Sequence, residues 1–205
     1  YSAVEDETYV EERTGRRLTF NKHLDAFEKV TGPGSGRKLL DVGAYIGVFV
    51  EVARERGWDA IGLEPSDWGA EYAQKSGIPV IKGTMDHPRV VTQQFDVITM
   101  WDVIEHLSDP LGELKKAYRL LRPGGMIAVH TMDVDSIASK LLGSRWPWYM
   151  AMHVQFFSQS GMIKFLEKAG FEVVWTGVQG RYLRLHYLAS RLGGLNPAIV
   201  QAADG

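Results

Sequence analysis

Lys38-Leu-Leu-Asp-Val-Gly-Ala-Tyr-Ile-Gly47 is the stretch that decides the fold. Residues 38–42 are short, apolar and unalternated, the pattern of a strand buried on both faces. Gly43 lets the chain turn sharply, and Gly47 opens a helix over 48–56 that carries Phe49, Val52 and Ala53 on one side. Strand, glycine turn and helix begin a βαβ unit. Further strands are expected at 60–63, 79–81, 95–100 and 126–129, with helices at 68–75 and along the stripe Leu111, Leu114, Tyr118 and Leu121, which ends at Arg122-Pro-Gly-Gly125. Ahead of the first strand, Leu24, Phe27 and Val30 recur at helical spacing and predict a helix over 18–30.

Beyond residue 130 the pattern changes. Residues 132–157 read as an insertion over the carboxyl end of the sheet, where a lid can exclude water; its aromatics are Trp146, Trp148, Tyr149, Phe156 and Phe157. Several of these are expected to form the lid's own core. Ser158 then caps a helix with Met162, Phe165, Leu166 and Ala169 facing inward, and Gly170 ends it. Two last strands, at 171–176 and 182–188, are separated by a connection short enough for an antiparallel hairpin. The fold class is therefore α/β: a seven-stranded, mostly parallel, Rossmann-like sheet with helices on both faces and an antiparallel C-terminal hairpin, in one domain spanning 1–205.

Composition narrows the function. The 205 residues are 45% hydrophobic and 23% charged, with a formal net charge of -2; there is no broad basic excess for gripping nucleic acid, and no nucleic-acid partner is expected. Cysteine is absent, which removes disulfides, thiolate nucleophiles and cysteine-held metals. The acidic start, Tyr1-Ser-Ala-Val-Glu-Asp-Glu7, is unlike a signal peptide, and no apolar run approaches the roughly 18 residues of a membrane span, so a cytoplasmic location is the simplest expectation. The lack of an initiating Met fits a chain that extends further. Basic and apolar residues mix at 181–191, but Leu183, Leu185 and Tyr187 alternate with Arg184 and His186 as a strand would, and membrane association is not expected.

In an open α/β sheet the ligand lies beyond the carboxyl ends of the strands, where strand order reverses. The turn 43–47 occupies that place. Glu64, at the end of the second strand, can accept hydrogen bonds from both hydroxyls of a ribose, which makes an adenosine a reasonable ligand. A nicotinamide dinucleotide would use a similar turn, but its fingerprint is G-x-G-x-x-G, whereas Gly43 and Gly47 give G-x-x-x-G.

Four stretches occur together and in order: Leu39-Leu-Asp-Val-Gly-Ala-Tyr-Ile-Gly47, Gly62-Leu-Glu-Pro-Ser66, Phe95-Asp-Val-Ile-Thr-Met-Trp-Asp-Val-Ile-Glu-His-Leu107 with Asp109-Pro110, and Leu121-Arg-Pro-Gly-Gly125. In these the chain resembles class I S-adenosylmethionine-dependent methyltransferases, and among them the bacterial group around ubiquinone-biosynthesis O-methyltransferases. The resemblance implies that Asp41, Gly43, Ala44, Tyr45 and Gly47 form the loop around the methionine portion of S-adenosylmethionine. Glu64 with Pro65 would hold the ribose, Thr84, Met85 and Asp86 would lie near adenine, and Trp101 and Asp102 would close the pocket. Relatives commonly have glycine where this chain has Tyr45, so an altered loop path is expected.

The implied reaction is methyl transfer to a small-molecule acceptor, preferably at oxygen on a sugar or quinone precursor, with S-adenosylhomocysteine as product. His106 and His153 are the candidate proton acceptors. Each could equally be structural. Some relatives with an acid-x-x-Glu-His run and a later histidine bind a divalent cation, which would draw on Asp102, Glu105, His106 and His153; the run is also common without metal, and none is expected. The alternative is a catalytically degenerate S-adenosylmethionine-binding scaffold, for which Tyr45 is the only sequence support.

Overall fold

The apolar runs become five strands, β1 Lys38–Val42, β2 Asp59–Glu64, β3 Val80–Lys82, β4 Phe95–Trp101 and β5 Leu121–His130, in a computed structural model that describes residues 7–183. All neighbours pair in parallel, in the order β3-β2-β1-β4-β5. The chain steps outward from β1 to β3, then returns to lay β4 on the other side of β1. Strand order therefore reverses between β1 and β4, which opens a crevice at their carboxyl ends.

Adjacent strand residues point to opposite faces, and each face has its own apolar layer. Leu39 and Val97 belong to one core with Leu24, Phe49 and Trp58, whereas Leu40 and Ile98 belong to the other with Leu114 and Phe157. The first layer is covered by α2 Arg13–Thr31, α3 Val48–Glu55 and α4 Asp67–Lys75; the second by α6 Pro110–Leu120 and α8 Gln159–Ala169. The short helices α1 Glu7–Glu11, α5 Pro88–Val91 and α7 Ile137–Leu142 complete the set.

Helix ends follow local chemistry. Ser66 and Ser158 cap α4 and α8 by accepting from the Gly69 and Gly161 amides, Asp109 with Pro110 starts α6, and Gly170 closes α8 in the left-handed conformation. The N-terminal helix begins earlier than its apolar spacing predicts, at Arg13, because Arg13 and Arg17 reach Glu51 and Glu55 of α3 and extend the contact by ion pairs.

Five strands, in place of the seven expected, are present among the described residues. Residues 171–183 carry no strand, for a strand is defined by its ladder of partners and no described strand pairs with them. Phe171 packs on Tyr118 at 5.2 Å, while Val174, Trp175 and Val178 are exposed. The other arm of the expected hairpin, 182–188, lies from residue 184 onward outside the described residues. Residues 132–157 leave β5, form α7 and a 3-10 turn at Gly143–Arg145, and come back to a parallel bridge between Asp133 and Phe157.

Candidate active site at the carboxyl ends of the strands

A cavity of about 930 Å³ opens where strand order reverses. Its floor is made by the turns after β1, β2, β3 and β4 and by the end of β5. One face of α2 with Tyr9 of α1 closes it from one side, and residues from 132–157 close it from the other. Of the expected cofactor residues, Gly43, Tyr45, Glu64, Pro65, Thr84, Met85, Asp86, Trp101 and Asp102 border this space.

Asp41, Ala44 and Gly47 do not border it; they shape the turn from below. At Gly43 the backbone has φ +74°, and a Cβ would lie 2.5 Å from the Val103 side chain. Gly47, at φ +79°, would bring a Cβ within 2.7 Å of Ile78. The amides of Gly43 and Ala44 both donate to the Leu63 carbonyl at 2.8 Å, which pins the turn to β2. Asp41 is buried and accepts from the Thr99 hydroxyl at 2.7 Å. Burial, with the nearby charge of Glu64, pushes its pKa up to about 8 against the opposing Thr99 bond, so the carboxyl is largely neutral at pH 7.

Glu64 is held between two loops. One carboxylate oxygen accepts from the Tyr45 amide and the other from the Ser66 amide, each at 2.8 Å. A carboxylate oxygen has a second lone pair, so the anchored group can still receive two hydroxyls from the cavity side. Tyr45 itself has φ +49°, in the region that favours glycine. Past β3, Asp86 is ion-paired with Lys116 of α6, and Met85 is almost fully buried.

Trp101 packs against Phe49 at 5.1 Å and His23 at 5.0 Å. Asp102 accepts from Nδ1 of His130 at 2.9 Å and from the Arg181 guanidinium. Burial alone would raise the Asp102 pKa, but Arg181 and His130 outweigh it and hold the carboxyl well below its ordinary range. His23 packs at a tilt against both Trp101 and His130, with interplanar angles of 30° and 31°; burial, together with the charges of His130 and Arg181, lowers its pKa to about 4. His23, His130 and Arg181 were not anticipated from sequence. His130 could have been found, since it ends the strand beside β4 at the crevice.

Glu105 and His106 sit on a 3-10 turn, Ile104–His106, after β4. The Nδ1 of His106 faces the Met152 carbonyl at 3.0 Å and that of His153 faces the Trp148 carbonyl at 2.9 Å. Carbonyls only accept, so each ring carries a proton on Nδ1. The two rings are 4.8 Å apart. Glu105 is 1% exposed, and burial with the Asp102 charge raises its pKa. No hydrogen bond of ordinary geometry reaches its carboxyl oxygens among the described residues, and Thr131 lies near enough to oppose that rise. One ligand atom from each of Glu105, His106 and His153 falls within 4.8 Å of the others, whereas Asp102, the fourth member of the expected set, is absent from this group and bound to His130 and Arg181.

Among the aromatics of 132–157, Trp148 alone borders the cavity. Trp146 packs on Trp148 and Tyr149 at 6.2 and 5.1 Å, and Phe157 on Phe165 of α8 at 5.5 Å. Tyr149 and Phe156 face each other at 5.2 Å, half-exposed.

Known proteins share this fold. An S-adenosylmethionine-dependent methyltransferase of Thermotoga maritima, described as a possible histamine N-methyltransferase, superposes with a TM-score of 0.65 at 26% identity, over 85% of this chain and 87% of that one. The magnesium protoporphyrin IX methyltransferase of Synechocystis, solved with bound S-adenosylhomocysteine, shares the fold at a TM-score of 0.63 and 15% identity, over 88% and 84% of the two chains. In sequence, the ubiquinone biosynthesis O-methyltransferase of Cereibacter sphaeroides is 29% identical over 122 residues, which is 56% of this chain and 49% of that protein, so the chain spans about half the length of this relative. The profile of the methyltransferase domain matches residues 11–176, most of the α/β sheet and its cavity, and the chain belongs to that methyltransferase family.

Proposed function

We propose that this protein binds S-adenosylmethionine in the cavity and directs its methyl group to an oxygen of a small-molecule acceptor, a sugar or quinone precursor. The observation that carries the reading is Glu64, a carboxylate fixed by two backbone amides at the point where strand order reverses, with lone pairs left for a ribose. The names of the relatives above support the cofactor, and that of the ubiquinone biosynthesis O-methyltransferase supports transfer to oxygen, against the histamine N-methyltransferase description of the Thermotoga protein. The sulfonium supplies an activated methyl carbon and a neutral thioether as leaving group.

The chain's own residues do the rest. Gly43 allows close approach to the amino-acid part, Glu64 orients the ribose, and Thr84, Met85 and Asp86 flank the adenine. Trp148 and His153 border the acceptor side, where the Nε2 of His106 or His153 takes the hydroxyl proton as the oxygen attacks. Burial and the nearby His106 lower the His153 pKa, which keeps this imidazole neutral and able to accept. No helix among the described residues is long and apolar enough to cross a membrane.

A second reading is favoured by the buried carboxyl of Glu105, which lies with one ligand atom each of His106 and His153 inside 4.8 Å: the three could hold a divalent cation. Two imidazoles and one carboxylate suit zinc, manganese or iron better than magnesium. Such an ion would lower the pKa of an acceptor hydroxyl.

Calorimetric titration with S-adenosylmethionine, S-adenosylhomocysteine and NADH tests the cofactor. Micromolar binding of the first two and none of the third is expected; the reverse pattern overturns the proposal. Binding without turnover across a screen of sugar and catechol acceptors, with and without chelator, would favour the scaffold. Loss of turnover on chelation, restored by manganese or zinc, would establish the second reading.

A further inference from the structure

Tyr45 occupies φ +49°, in the left-handed region that favours glycine. That conformation costs a non-glycine residue about 1 kcal/mol, and glycine does fill the neighbouring left-handed positions 43 and 47. Its contacts show what the ring achieves. Tyr9 of α1 meets it edge-on at 4.4 Å, Trp68 of α4 lies 5.4 Å away on the other side, and Trp68 continues to Tyr72 at 5.5 Å. Four rings thus run from α1 to α4 through position 45.

The facing surface is shaped to match. A Cβ at Gly69 would lie 2.9 Å from Cδ2 of Tyr45, so α4 carries glycine where the ring rests on it. The Arg16 guanidinium lies 3.4 Å from the centre of the Tyr9 ring and adds a further contact. Tyr9, Arg16 and Tyr45 all border the cavity. Around the Tyr9 hydroxyl the titratable groups are Arg16, Asp102, Asp41 and Arg181, and burial, the strongest influence, raises its pKa and keeps it a neutral phenol. Asp41 lies in β1 and Asp102 follows β4, the two strands between which the order reverses, whereas Thr84–Asp86 follow β3 at the edge of the sheet.

We propose that Tyr45 anchors α1 across the cavity, and that Tyr9, so positioned, is a cofactor-binding residue at the amino-acid end of S-adenosylmethionine. A phenol there can donate to a carboxylate and present its ring to a sulfonium or ammonium. The inference rests on the cofactor reading above.

The test compares S-adenosylhomocysteine with 5'-methylthioadenosine, which has the same nucleoside and thioether but no amino acid, by calorimetry on wild type, Tyr45→Gly, Tyr9→Ala and the double variant. Tyr45→Gly relieves backbone strain, so it should melt close to the wild-type temperature yet bind S-adenosylhomocysteine about tenfold more weakly, the worth of one aromatic contact. Tyr9→Ala should match it, and the double variant should be no weaker than Tyr9→Ala alone, since both remove one device. Methylthioadenosine should bind all four within about threefold. Unchanged S-adenosylhomocysteine affinity in Tyr45→Gly, equal losses for both ligands, or additive losses in the double variant would each overturn the inference. Failure of the wild type to bind S-adenosylhomocysteine would instead bring down the cofactor reading, and this inference with it.

Discussion

The two ends of the cavity are built by different means. At the proposed cofactor end the positioning groups are main chain: the Gly43 and Ala44 amides on Leu63, and the Tyr45 and Ser66 amides on Glu64. At the proposed acceptor end they are imidazoles aimed by carbonyls of residues 132–157, a segment whose β-bridge, Asp133 to Phe157, joins its own two ends. Backbone turns tolerate little change without losing the fold, whereas an inserted segment can change its side chains while the sheet beneath it stays intact. A common cofactor and a variable acceptor are what such a division permits.

The sharpest way to break this comparison is at the acceptor end. His106→Ala and His153→Ala should each reduce methyl transfer by about 10²–10⁴-fold while leaving S-adenosylhomocysteine affinity within about twofold, measured as label transfer to an acceptor from the screen and as calorimetric Kd. Wild-type turnover in both variants would show that the imidazoles are structural. At the cofactor end the expectation is inverted. Glu64→Ala leaves two amides without their charged acceptor and removes the ribose contact, so S-adenosylhomocysteine should bind about 100-fold more weakly, with a lowered melting temperature. An affinity within threefold of wild type would remove Glu64 from the site.

The smallest effect concerns protons. Asp41 has its folded pKa raised to about 8, so the folded chain holds a proton that the unfolded chain loses near pH 4. Stability from this group is therefore full below about pH 4 and declines as pH rises towards 8. Thermal melts at pH 5, 6.5 and 8 should show that decline in wild type and a flatter profile in Asp41→Asn, whose side-chain carbonyl can still accept from Thr99. Parallel profiles would place the pH dependence elsewhere.

How much could be read from sequence follows the same division. The strand at 38–42, the Ser158 cap and the Gly170 stop depend on a few adjacent residues, and the structure has them where the sequence places them. Most of the residues expected to hold a cofactor border the cavity, since the turn motifs that suggest them are local. What escaped notice depends on distant partners. Arg181 meets Asp102 across 79 positions of chain and His130 meets it across 28, and neither separation leaves a local pattern. The start of α2 at Arg13 is set by glutamates on another helix. The lid aromatics were readable as a cluster, but only packing decides that Trp148 turns inward while Tyr149 and Phe156 turn out.

The amides of Val154 and Gln155 both donate to the Glu105 carbonyl, at 2.9 and 3.0 Å. They clip the returning end of the inserted segment to the body of the protein, and the bridge between Asp133 and Phe157 ties its outgoing end to the returning one. Between those clips, residues 137–150 form a cassette that includes Pro147, Trp148 and Met150 of the cavity wall: a graft of that stretch from a relative with a different acceptor would exchange the recognition surface while the turn bearing Glu105 and His106 keeps its footing.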